Sequence, residues 1–212
     1  MDCKDLLIES GKRMLNSGLT VETWGNLSVR DPKTGFIYLT PSGMPYHTIH
    51  REDIVDLDPD GGRVEGDRAP TIEWAMHLGV LKSRPEINAI IHTHPIYSQI
   101  FGLLHEAIPP VIDEAAQTLN GTVEVAKYAI PGSEELAQNV VEALGDKMAC
   151  LMANHGAVCV GKNMEEAFRV SEVLEMTSRI LYMARCIGEP KPVPPEKIPE
   201  MLTFIREHYG QK

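Results

Sequence analysis

Short strand-forming runs broken by Pro/Gly turns alternate with amphipathic segments along the whole chain, and this alternation narrows the folds open to it. The stretch "NLSVRDPKTGFIYLTPSG" reads as strand, turn, strand. "DIVDLDPDGGRVEG" repeats that grammar with Asp60-Gly61-Gly62 as the turn. Helical periodicity takes over at residues 3–17, where Leu6, Leu7, Met14 and Leu15 stand among charges before Gly18. It returns in "IEWAMHLGVLKS", for which Thr71 is the expected N-cap. A strand is expected over 87–94, stopped by Pro95, then a helix near 95–104 and the less regular "IPPVIDEAAQTLNG". Ser133 caps "EELAQNVVEALG" with Gly145 closing it, and "ACLMANHGAVCVG" is a strand pair broken around His155-Gly156. Asn163 with Glu166 opens the longest helix, to the neighbourhood of Ile187, and the proline-rich "GEPKPVPPEKIP" leads to a last helix at 196–209. Interleaved hairpins and helices predict an α/β fold, a sheet covered by helices, with too much antiparallel pairing for a purely doubly wound one. The 212 residues, 43% of them hydrophobic, suit one domain over 1–212, with 187–212 as connector and tail.

Charge excludes some functions. With 20 basic against 30 acidic side chains and no basic run, the chain is a poor candidate for nucleic acid, though a few local donors would serve a small phosphorylated ligand. No segment nears the roughly 18 apolar residues of a membrane span, and "MDCKDLLIESGKRML" mixes acids and bases, unlike a secretory signal. Cys3, Cys150, Cys159 and Cys186 follow no CxxC spacing; Cys150 and Cys159 read as core, and a reducing, cytoplasmic setting is expected.

The strand at 87–94 ends in His92 and His94, which on an extended chain leave the same face. Such a pair either offers two imidazoles to one metal or shows two polar groups to water. A catalytic metal site takes three protein ligands, and His155, at a second strand break beside Gly156, is the best third candidate. Glu73 is a carboxylate for ligation or for proton transfer, or simply an acid at the positive end of a helix; pairing with His77, four residues on, is another ordinary outcome. The loops "TWGNLS" and "TPSG" set glycine beside hydroxyl and amide groups, which suits either an anion or a plain turn. There is no P-loop, GxGxxG or GxSxG.

In order, GNLS, TPSG, a glutamate at a helix start, HTHP and NHG resemble the class II aldolase/adducin family, in particular its bacterial fuculose-1-phosphate aldolase branch, over residues 5–187. The resemblance implies a three-layer α/β/α sandwich with a central, mostly antiparallel sheet, and a homotetramer with active sites at subunit interfaces. It implies that His92, His94 and His155 bind zinc, with Mn2+ or Co2+ as alternatives, and that Glu73 ligates the resting metal and then acts as acid/base. Thr23, Asn26, Ser42, Gly43 and Thr71 match the phosphate cradle, and Tyr209 matches a C-terminal tyrosine that assists catalysis. The implied reaction is reversible cleavage of a ketose 1-phosphate (fuculose-, ribulose- or 5-deoxypentulose-phosphate-like) to dihydroxyacetone phosphate and an aldehyde through an ene-diolate. Three departures stand out. Thr71-Ile72 replaces two serines, Asp113 or Glu114 stands where a neighbouring subunit's tyrosine is usual, and E-A-A-Q lacks the aspartate of the epimerase branch. The first two leave a methylthioribulose-phosphate dehydratase and a keto-acid phosphate decarboxylase as alternatives, and the third disfavours an epimerase; the retained histidines and glutamate disfavour an adducin-like scaffold.

Overall fold

The computed structural model describes residues 2–208, so Tyr209 lies outside the described residues. Within them the chain runs α1 (Cys3–Asn16), β1 (Asn26–Arg30), β2 (Ile37–Leu39), β3 (Val55–Leu57), β4 (Arg63–Glu65), α2 (Trp74–Ser83) and β5 (Ala89–Thr93). It continues through α3 (Ile96–Leu104), α4 (Asp113–Thr118), β6 (Val125–Ala126), α5 (Glu134–Leu144), β7 (Ala149–Met152), β8 (Gly156–Gly161), α6 (Met164–Arg185) and α7 (Ile198–His208). The strands form one sheet in the order β4-β3-β2-β1-β5-β8-β7-β6. Every pairing is antiparallel except β6 with β7.

Strand alternation sorts the core into two layers. Ile90, Cys150, Met152, Val158 and Val160 pack with α2 and α5, through Val80, Leu81, Leu136 and Val140. Their strand neighbours face the other way: Leu27, Val29, Ala89 and Ile91 meet α1 and Phe168 of α6, while Leu151, Ala157 and Cys159 meet Phe101, Leu119 and Leu174. The sandwich is therefore α2/α5, sheet, and α1/α3/α4/α6, as the resemblance implied. Residues 26, 28 and 92 share parity with Ile90 across the register Asn26↔His92 and Ser28↔Ile90, so they face α2.

Two elements differ from the sequence expectation. The N-cap of α2 is Glu73, not Thr71. A bridge between Pro41 and Pro70, and the bond from Thr71 N to Thr40 O, hold residues 70–71 extended, so the helix begins two residues later. The stretch 108–121, expected to be less regular, contains the short helix α4, begun directly by Asp113 and Glu114 with no side-chain cap. Ser133 and Asn163 cap α5 and α6 as expected, accepting from Leu136 N and Glu166 N.

Arg30, at the end of β1, ties down the far end of α2. Its guanidinium donates to the carbonyls of Leu81 (2.8 Å), Pro85 (2.6 Å) and Ile87, and to Asn88 Oδ1 (3.1 Å). One side chain thus locks β1, α2 and the entry to β5, the three elements that carry Asn26, Glu73 and His92. Arg30→Ala is expected to lower unfolding stability by about 3 kcal/mol, because several charge-assisted bonds vanish and leave carbonyls unpaired. A urea titration that finds less than about 0.5 kcal/mol lost would contradict this account.

Candidate metal centre

Two glycines let three backbones crowd the end of β5. A Cβ at Gly25, whose φ is +73°, would come within 2.6 Å of the His92 carbonyl oxygen. One at Gly156 would collide with the Thr93 carbonyl oxygen and press to 3.1 Å on His92 Cε1. The glycines of "GNLS" and "NHG" are therefore packing requirements on either side of one histidine. Asn154 takes the left-handed conformation at φ +55° in the β7–β8 turn, which aims His155 back at β5. Its amide oxygen lies 2.9 Å from His105 Nε2.

His92, His94 and His155 converge as expected. Their ligand atoms all lie within 4.8 Å of one another, and His92 Nε2 is 3.0 Å from His94 Nε2. Nitrogens arranged tetrahedrally at about 2.0–2.1 Å from zinc stand roughly 3.4 Å apart, within that range. His92 is fully buried, and its Nδ1 donates to Ala157 O at 3.0 Å, which leaves the Nε2 lone pair facing inward. That lone pair meets Glu73 Oε2 at 3.1 Å as well as His94, so acceptors converge with too few protons to share. Glu73 Oε1, buried and without a hydrogen-bond partner, lies 3.4 Å from His155 Nε2. Burial drives the imidazoles toward their neutral, ligating form: His92 and His155 fall to about 4, and His94 to about 3. Neutral nitrogens around an unpartnered carboxylate oxygen fit a divalent cation better than any protonation scheme of their own.

His94, His155 and Glu73 open onto a cavity of about 430 Å3. Thr23, Asn26, Ser42, Gly43, Thr71, Glu73, His94 and His155 all line it, so the residues matched to the phosphate cradle share one space with the histidines. Gly43 has φ +66°, and Thr71 Oγ1 accepts from Glu73 N at 3.4 Å. Asp113 and Glu114 do not line this cavity. Sequence reasoning missed its apolar wall of Trp24, Ile72 and Pro131. Trp24 stacks beside His94, ring centroids 6.2 Å apart, and no local pattern in the sequence signals that contact.

His77 settles an alternative that the helical spacing left open. It does not pair with Glu73: its ring meets Ser28 Oγ at 2.7 Å and Asn26 Oδ1 at 2.6 Å. Glu73 instead accepts from Asn26 Nδ2 at 2.9 Å. The i,i+4 rule of the helix surface fails here because β1 lies close enough to place Asn26 between them.

Comparison with known proteins agrees with this geometry. The family model of the Class II Aldolase and Adducin N-terminal domain matches residues 5–182. The 5-deoxy-D-ribulose 1-phosphate aldolase of Bacillus thuringiensis serovar kurstaki is 36% identical, over 99% of this chain and 97% of its own. The 5-methylthioribulose-1-phosphate/5-deoxyribulose-1-phosphate aldolase of Rhodospirillum rubrum is 30% identical over 95% and 90%. A solved L-fuculose 1-phosphate aldolase superposes with a TM-score of 0.93 at 38% identity, covering 97% of this chain and 96% of that one.

Proposed function

Because the chain belongs to the class II aldolase and adducin family, we propose that it is a metal-dependent aldolase cleaving a ketose 1-phosphate to dihydroxyacetone phosphate and an aldehyde. The observation that carries this reading is the convergence of His92, His94 and His155 beside Glu73 in a cavity also lined by Ser42, Gly43 and Thr71. The three histidines would hold the cation, with zinc preferred for an all-imidazole set and Mn2+ or Co2+ as alternatives. Such a cation supplies Lewis-acid stabilisation of the negative charge that develops on the ketose carbonyl and neighbouring hydroxyl oxygens.

The remaining work falls to side chains. Asn26, Ser42, Gly43, Thr71 and Thr23 would anchor the phosphate, so binding energy at a non-reacting group orients the C3–C4 bond. When that bond breaks, the C4 hydroxyl would pass its proton to Glu73 and C3 would become an ene-diolate carbon. Glu73 would deliver a proton to C3 and complete dihydroxyacetone phosphate. Tyr209 would assist from the C-terminal tail, and residues 1–212 would act as one domain. The cavity wall carries Trp24 and Ile72, 58% and 59% exposed, with Pro131. Exposed apolar groups in the cavity wall favour cover by a neighbouring subunit, in keeping with a homotetramer. Light scattering tests that assembly: a mass four times that of the chain is expected, and a monomer would refute it.

The apolar wall also favours a substrate without a terminal hydroxyl, as do two relatives named for 5-deoxyribulose phosphate. Metal-loaded protein should release dihydroxyacetone phosphate from 5-deoxyribulose 1-phosphate, read by coupled NADH oxidation and abolished by chelator. Its kcat/KM should exceed that for ribulose 1-phosphate, which carries the terminal hydroxyl, by about tenfold. No release from any ketose 1-phosphate by protein with metal bound would sink the aldolase reading.

A further inference from the structure

The polarity of one buried hydrogen-bond chain is fixed from its inner end. The Glu73 carboxylate accepts, so the Asn26 amide must turn its Nδ2 toward it, at 2.9 Å. The Asn26 oxygen then faces His77 Nε2 at 2.6 Å and requires a donor there. A neutral imidazole protonated on Nε2 has a lone pair on Nδ1, which takes the hydrogen of Ser28 Oγ at 2.7 Å. Ser28 and His77 are fully buried, Asn26 is 6% exposed, and burial holds His77 neutral, lowering it to about 3. Reversing any one of these bonds sets two acceptors face to face within the chain.

From this geometry we propose that His77 is a positioning residue for the reaction: through Asn26, it fixes the carboxylate of Glu73 toward the three histidines. Without the Nε2–H donor, the Asn26 oxygen loses its partner and the amide is held by Glu73 alone. The carboxylate is then aimed by an amide that nothing anchors from behind, although every ligand is still present. Ser28 completes the device by selecting the tautomer that donates. This explains why the strand after "GN" carries a serine facing inward and why α2 places a histidine one turn behind Glu73. The inference rests on the reading of Glu73 as the residue that serves both the metal and the proton.

The test compares His77→Gln, whose side-chain amide still presents a donor where Nε2 stood, with His77→Leu, which fills similar space without one. In the full-length chain, His77→Leu should lose about tenfold or more in kcat with little change in KM. It should also bind zinc about tenfold more weakly in a chelator competition. His77→Gln should recover both within about threefold, at comparable thermal stability. In zinc-loaded wild-type protein, imidazole 15N shifts should show His77 protonated on Nε2 and not on Nδ1. A protonated Nδ1 would overturn the proposal, as would equal losses in the two variants following their stability, or full zinc affinity and kcat in His77→Leu. Should His77→Leu fail to fold, Ser28→Ala is read by the same shifts and zinc competition, and no change in either counts against the device. If the wild-type protein cleaves no ketose phosphate, the aldolase reading fails alone, since zinc affinity and tautomer still decide the positioning role.

Discussion

His155→Ala is expected to leave a folded protein that holds no divalent metal and releases no dihydroxyacetone phosphate. The residue sits in the β7–β8 turn, partly exposed, with Nδ1 making no hydrogen bond, while its backbone N–H keeps its bond to Met152 O. Removing the ring should therefore cost the fold no more than about 1 kcal/mol. The metal centre loses far more, because one of the three imidazoles that would hold the ion is gone. Lewis-acid stabilisation worth several kcal/mol disappears with the ion, so the rate should fall by about a thousandfold or more. Metal analysis per chain, a denaturation midpoint and the coupled assay together decide it. Full metal occupancy in the folded variant would refute the ligand assignment.

Glu73→Gln separates proton transfer from metal binding. The glutamine oxygen still accepts from Asn26 Nδ2, and the three histidines are untouched, so metal should remain. The proton acceptor is gone, and kcat should drop by about 10²- to 10⁴-fold with KM little altered. The reverse half-reaction gives a sharper reading: wild-type protein should exchange a carbon-bound hydrogen of dihydroxyacetone phosphate with deuterated solvent. The variant should not, and exchange at the wild-type rate would assign the proton to another residue.

Much of the centre was legible because it lies at the ends of regular elements. The period of two along a strand foretold that His92 and His94 would meet, and a second strand break beside a glycine pointed to His155. The layered sheet followed from the alternation of hairpins and helices. What escaped depended on neighbours distant in sequence. Pairing Glu73 with His77 was reasonable for an isolated helix, but β1 inserts Asn26 between them. Thr71 looked like an N-cap until the bridge from Pro41 to Pro70 pulled it into extended geometry. The helix α4 is only six residues long, too short for a helical period to stand out. Trp24 and Ile72 become cavity wall only once β1 and the approach to α2 lie side by side.

The order of the sheet has a consequence for how the protein is made. Asn26, His92 and His155 stand at the ends of β1, β5 and β8, which are neighbours in space but far apart along the chain. A nascent chain on the ribosome therefore carries the first two histidines well before the third has been translated. Until β8 docks on β5, no three-histidine cage exists to trap a cation from the surrounding pool. Metal uptake would then report that β8 has been made and has docked, and the captured ion would stabilise that assembled sheet while leaving earlier precursors unaided.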